Sequence, residues 1–195
     1  MITCDLEDNL ISKPDFDCVG QVAKHCNWEQ LCVYIREQTN LWLIPKVGYC
    51  LISKIKENET DEFYKKIWCG CDYECNGEKK IHFGLKRVLI HASYGAYIYR
   101  HGYIDTAVGV VQKLNQDSIP APINELKSIM NDHYRNADIY FDLVKEYLCT
   151  IINDERLKDC LNINCNGCGC GSNNQATTKT QNRGSIGKNI TKWSI

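Results

Sequence analysis

Between Pro122 and Glu155, apolar, small or ring-bearing residues recur in steps of three and four: Ile123, Leu126, Met130, His133, Ala137, Phe141, Val144, Leu148 and Ile151. Such steps trace one face of a helix. Pro122 suits a first helical turn, and no further Pro or Gly interrupts the run. The pattern predicts a helix of roughly thirty residues, about 45 Å long at 1.5 Å per residue. That is long for a small domain and points to a scaffold or rod. A second helix is predicted from about Phe83 to His101, closed by Gly102. Leu85, Val88, Leu89, Ala92, Ala96 and Tyr99 form its stripe, and Gly95 admits a neighbouring helix. A third is predicted over 27–39, with Asn27 as N-cap and Glu29 and Gln30 in the first turn. A shorter helix starting at Pro45 (45–56) and two turns over 60–68 complete the helical set.

Two segments read differently. In 72–83, Asn76-Gly77 marks the turn of a small hairpin. In 106–122, Val108, Val110 and Val111 favour extended chain until two prolines stop it. Two antiparallel helices need only a handful of linking residues, so this excess protrudes or reaches a neighbour. The fold class expected is mainly α, a small helical bundle with a long helix in its C-terminal half, a small β-hairpin and extended arms. The expected division is a helical body over 1–155, with protruding segment 106–121, and a Cys/Gly-rich root and basic extended tail over 156–195.

Composition changes this picture in two places. Hydrophobic residues at 44% and charged residues at 24% are ordinary for a globular chain, and no apolar run approaches a membrane span, so no membrane partner is expected. The acidic start "MITCDLEDNLISKPDFD" has no apolar core of the kind a secretory signal carries. The chain is therefore expected in a reducing compartment, where its 13 cysteines weigh against a disulfide framework. The net charge of −1 hides an asymmetry. Residues 171–195 hold Lys179, Arg183, Lys188 and Lys192 and no acid, leaving the preceding chain at −5. Ile186, Ile190, Trp193 and Ile195 are set among the polar residues of this basic tail. A purely solvating tail has no use for them.

Candidate chemistry is sparse. His25, His82, His91, His101 and His133 form no HExxH pattern, and no serine sits in a GxSxG elbow. His91 and His133 fall on or beside apolar helix faces and read as structural. "GCGCGS" lacks the Lys-Ser/Thr of a phosphate loop. No enzyme is expected. Cys32, Cys50 and Cys149 fall within helices, where cysteine behaves as a small hydrophobe. Cys165-x-x-Cys168 has the spacing of half a zinc site, and Cys69-x-Cys71 with Cys75 can supply the other half, with His82 as an alternative ligand. Cys170 adds a thiol beside them. The pattern is not a regular zinc ribbon and cysteine is used freely elsewhere, so reduced thiols without a cofactor are expected, with zinc left open.

The stretch "SYGAYIYRHGYIDTAVGVVQKLNQDSIPAPINELKSIMNDHYRNADIYFDLVKEYL" (93–148) resembles head–tail connector proteins of tailed bacteriophages, particularly the portal-proximal ring proteins of crAss-like and other Bacteroides phages. The shared features are a helix with a small-residue face, "DTAVGVVQK", a Ser-Ile-Pro turn, and a long helix with "YRNAD". "LWLIPKVGYCLI" and "GSIGKNITKW" extend the likeness over most of 28–195. The resemblance implies a helical connector domain that forms a homo-oligomeric ring, commonly of twelve copies, beneath the portal protein. Such a ring extends the DNA channel, offers a docking surface to other neck and tail ring proteins, and resides in the virion after assembly in the host cytoplasm. Val108, Val110, Val111, Ile186, Ile190 and Trp193 are the assembly contacts expected, since extended chain can add to a neighbour's sheet edge. The rival reading is a zinc-stabilised nucleic-acid-binding module, drawn from the cysteines and the basic tail. The acidic body and the lack of aromatics among the tail's basic residues weigh against it.

Overall fold

The computed structural model of the chain describes residues 10–19, 27–101, 103–106, 109–112 and 122–165. After a 3-10 turn over Lys13–Val19, helix α1 runs Trp28–Gln38. Its N-cap is Asn27, whose side chain accepts the Gln30 N–H at 3.2 Å. The Asn27 N–H in turn donates to the Tyr97 hydroxyl at 3.1 Å, tying the start of α1 to a distant helix. α1 does not stop where its pattern fades. It passes through a π turn, Thr39–Leu43, into α2, Ile44–Val47. Pro45 explains the widening: it has no N–H for a carbonyl one turn back, and its ring crowds that carbonyl.

Gly48 then breaks the helix. Its φ of 95° suits glycine, its N–H donates to the Ile44 carbonyl at 2.8 Å, and a Cβ there would lie 2.7 Å from the Cys160 carbonyl oxygen. Helix α3 is therefore Tyr49–Glu57. The helix expected to start at Pro45 is corrected: Pro45 belongs to the preceding helical run. Helix α4, Glu62–Cys69, is capped by Asp61 accepting the Phe63 N–H at 2.8 Å. Strands β1 (Cys71–Cys75) and β2 (Glu78–His82) form the expected hairpin, with Asn76 and Gly77 at φ 53° and 79° matching a two-residue primed turn.

Helix α5, Gly84–His101, is the centre of the body, burying Leu85, Val88, Leu89, Ala92 and Ala96. Helix α6, Ile123–Thr150, packs along it more extensively than any other helix pair, while α1 and α4 cover other sides of α5. At 28 residues α6 is about 42 Å long. Pro122 stands just before it, its carbonyl accepting the N–H groups of Glu125 and Leu126 at 2.9 and 3.1 Å. Gly95 permits the close crossing, because a Cβ there would lie 3.0 Å from the His133 Cβ. The helix ends at Thr150, short of the expected Glu155. Asp154 then caps a 3-10 turn, Glu155–Leu157. Leu157 and Cys160 are buried, and the Asn162 N–H donates to the Val47 carbonyl at 3.2 Å. The chain past α6 thus continues to pack on the body at the α2–α3 corner.

Between α5 and α6, Tyr103–Thr106 (β3) and Gly109–Gln112 (β4) pair antiparallel, Ile104 opposite Val111 and Asp105 opposite Val110. The expected extended segment therefore begins earlier, at Tyr103, and folds back on itself. The mainly helical class, the long helix and the small β1–β2 hairpin are all present. Among the described residues no helix is long and apolar enough to cross a membrane.

Candidate functional site

Burial along α6 is uneven. Ala137, Phe141, Val144, Tyr147, Leu148 and Cys149 are buried, whereas no residue from Ile123 to Asn136 is. The stripe continues through this first half, but its cover is thin only at the start: Ile123 is 44% exposed and Leu126 half-buried, with Ile129 on the flank 40% exposed, whereas Met130 and His133 already pack against Gly95 of α5. The periodic pattern thus outruns the body over the first two turns of α6. Ion pairs anchor the covered half: Lys46 to Asp138 at 2.9 Å, and Lys80 to Glu146. At the other end of α5, Arg100 grips both Glu37 carboxylate oxygens at 2.7 and 2.8 Å.

The β3–β4 hairpin adjoins this half of α6 in sequence. Among the described residues each of its strands pairs only with the other, so each has an outer edge. Of the expected assembly contacts, Val110 and Val111 lie on β4, while Val108, Ile186, Ile190 and Trp193 lie outside the described residues.

Where α6 meets α5, His91 is 6% exposed and stacks on Tyr140 at 5.2 Å between centroids. Its Nδ1 lies 3.2 Å from the Nδ1 of His133, and its Nε2 has no hydrogen-bond partner. A bare ring nitrogen is less costly to bury than an orphaned N–H, so the proton sits on the His91 Nδ1 and donates to His133. Burial pushes His91 down to about 4, helped by His133 and Arg87, and burial also lowers His133. The pair sits inside the α5–α6 crossing, and His91, which had read as a satisfied structural histidine, keeps one ring nitrogen without a partner.

A second cluster joins the β1–β2 hairpin to α6. His82, only 1% exposed, stacks on Tyr147 at 4.3 Å. The Gly84 N–H donates to its Nδ1 at 3.3 Å, which puts the ring proton on Nε2, 3.3 Å from the Cys71 sulfur. The Tyr147 hydroxyl also donates to that sulfur. Burial outweighs the Tyr147 donor and the charge of Lys66 and raises the Cys71 thiol. It also lowers His82 to about 4 and lifts Tyr147 to about 12. With Nε2 already protonated, His82 cannot accept the thiol's proton, so the contact is a hydrogen bond and not a base–nucleophile dyad.

The remaining cysteines require a correction. Cys50 is bonded to Cys160 and Cys149 to Cys165, with Cα separations of 4.9 and 5.6 Å, and Cys75 is disulfide-bonded as well. The expectation of reduced thiols therefore fails at these positions, including Cys50 and Cys149, which had read as buried hydrophobes. The reason is tertiary: the chain after α6 turns back and lays Cys160 and Cys165 against α3 and α6. Cys165 is thereby removed as a zinc ligand, and among the described residues no group of three or more His, Cys, Asp or Glu is placed to hold a metal. Cys168 and Cys170 lie outside those residues, as does the "GCGCGS" loop.

No curated protein and no solved structure matches the chain. A family model does, over residues 43–166, from the end of the π turn through both hairpins and α6 to just past Cys165. The chain belongs to that family, DUF6712, a family of unknown function.

Proposed function

We propose that this protein is a structural component of a phage neck, a homo-oligomeric ring beneath the portal that extends the DNA channel and receives later neck and tail proteins. The observation that carries this reading is the exposed start of α6, where Ile123 and Ile129 stand 44% and 40% exposed ahead of the crossing at Gly95. Beside it in the chain stands a two-stranded hairpin with outer edges. A ring repeats contacts between two different patches until the rotation closes. An exposed helix start and an edge hairpin suit such a pair. The resemblance to connector proteins supplies the portal, the DNA lumen and a count of twelve.

Electron microscopy of negatively stained particles, with mass photometry, tests the proposal on the full chain with and without the portal protein. Closed rings, alone or on the portal, are expected. A monomer that binds no portal under conditions that permit virion assembly overturns it. Salt-titrated DNA binding supplies a second arm: a ring whose lumen only passes DNA binds weakly with a shallow salt slope, whereas a nucleic-acid-binding module shows a steep one.

A further inference from the structure

We propose that residues 151–165 form a redox-released strap: two disulfides hold it closed along α3, and a dithiol reductant that opens them frees it while the helical body stays folded. The strap runs antiparallel to α3. The Arg156 carbonyl accepts a hydrogen bond from Lys54 Nζ at 2.6 Å toward the end of that helix, Cys160 is bonded to Cys50 in its first turn, and Asn162 reaches the corner before it. There the Asn162 N–H donates to the Val47 carbonyl and its side-chain amide to the Pro45 carbonyl, both at 3.2 Å. The approach is close, since a Cβ on Gly48 would lie 2.7 Å from the Cys160 carbonyl oxygen. Cys149–Cys165 then pins the far end to the last turn of α6. The strap is thus fastened in its middle and at its end, to two different helices.

The crosslinks carry most of the closure. Leu157 and Cys160 are the strap's buried residues, Leu161 and Ile163 are partly buried, and beyond the 3-10 turn Glu155–Leu157 its chain is irregular. Fixing irregular chain costs conformational entropy at every residue, and one fully buried leucine offsets little of it. A disulfide removes that obstacle by keeping the strap beside its seat at high effective concentration. Each bond has one half-buried partner, Cys50 or Cys165, against the buried Cys160 and Cys149. A thiolate of the reductant attacks the more accessible sulfur, the S–S bond breaks, and the other cysteine leaves as thiolate and takes a proton from solvent. The reductant's second thiol, its proton lost to solvent, then attacks the mixed disulfide. The reductant ends as a disulfide and both cysteines as thiols, two electrons having passed to each protein bond. With the strap open the chain is next held at Thr150, so everything after Cys165 gains the reach of 151–165, up to about 50 Å at roughly 3.3–3.6 Å per residue. The strap opens and closes whether or not the chain builds a ring; in a ring it sets how far the C-terminal residues reach.

The test is amide hydrogen exchange of the full chain, read by mass spectrometry before and after dithiothreitol, with free thiols mapped by alkylation in both states. Before reduction, Cys50, Cys149, Cys160 and Cys165 are expected to resist alkylation and the amides around Asn162 to exchange slowly. After it, the amides of 151–165 should exchange faster by about tenfold or more, while α5 and α6 stay protected. Replacing the reductant with oxidised glutathione restores the slow pattern. A variant carrying Cys50→Ser, Cys149→Ser, Cys160→Ser and Cys165→Ser should show the open pattern without reductant, which separates these bonds from the disulfide at Cys75. Strap amides that stay equally slow in fully reduced protein overturn the proposal, as do free thiols at the four positions beforehand. So does a loss of α5 and α6 protection in step with the strap, since the segment then unfolds only with the body. The unaltered chain decides each of these outcomes, so a failure of the variant to fold leaves the test intact.

Discussion

Three histidines hold their neutral form by burial, and their effect on stability has one sign. His82 and His91 titrate near 4 and His133 is lowered, whereas each titrates near 6.5 when unfolded. Below about pH 6.5 the unfolded chain binds more protons, so stability present at neutral pH is lost as the pH falls toward 4. The groups facing the His91–His133 pair do not relieve this: Arg87 opposes a second positive charge, and Asp132 favours one only at His133. The denaturation midpoint is expected to drop between pH 6.5 and 4.5, with His82 and His91 each contributing on the order of 1–2 kcal/mol at pH 5. In His91→Leu/His133→Leu the slope should flatten. A profile equally steep in that double variant contradicts the assignment. Glycines give a second contrast at this scale. Gly48 and Gly77 both have positive φ, but a Cβ at Gly48 meets the Cys160 backbone while nothing lies within 4 Å of one at Gly77. Gly48→Ala should therefore lose about 2–4 kcal/mol and Gly77→Ala only about 1 kcal/mol, read from urea melts.

At the scale of elements, the crosslinks make a graded prediction. Cys149–Cys165 spans 16 positions and Cys50–Cys160 spans 110. Opening the first by Cys165→Ser should lower stability by about 3 kcal/mol and opening the second by Cys160→Ser by nearer 5 kcal/mol, since the longer loop constrains the unfolded chain more. Equal losses would point to the contacts around each sulfur instead. Neither pairing could be read from the chain, because thiol partners are chosen by tertiary return and not by spacing. The elements that were legible rest on local signals: the three-and-four period of α5 and α6, the Asn27 cap, and Asn76-Gly77. β3 was missed because Tyr103-Ile104-Asp105-Thr106 is too short to establish an alternation. The break at Gly48 was missed because Pro45 looked like a better start. The His91–His133 contact lies 42 positions apart in sequence, and only the small-residue gap at Gly95 hinted at the crossing that makes it.

For the whole molecule, the buried apolar core draws on residues from Ile11 to Leu157. Deleting 171–195 should therefore leave helical circular dichroism and melting temperature nearly unchanged. It should weaken ring formation or docking of the next neck component, with Trp193→Ala reproducing part of the defect, because burying each large apolar side chain is worth about 1.5–3 kcal/mol. A truncated chain that builds complete necks at the normal rate removes the tail from the assembly reading. The 110-position span between Cys50 and Cys160 also sets a clock. At about 5–20 residues per second of synthesis, Cys50 leaves the ribosome on the order of 5–20 s before its partner exists. Throughout that interval α3 must find its place on the growing body by packing alone. The bond can close only once Cys160 has been made, so it cannot hold α3 during that interval.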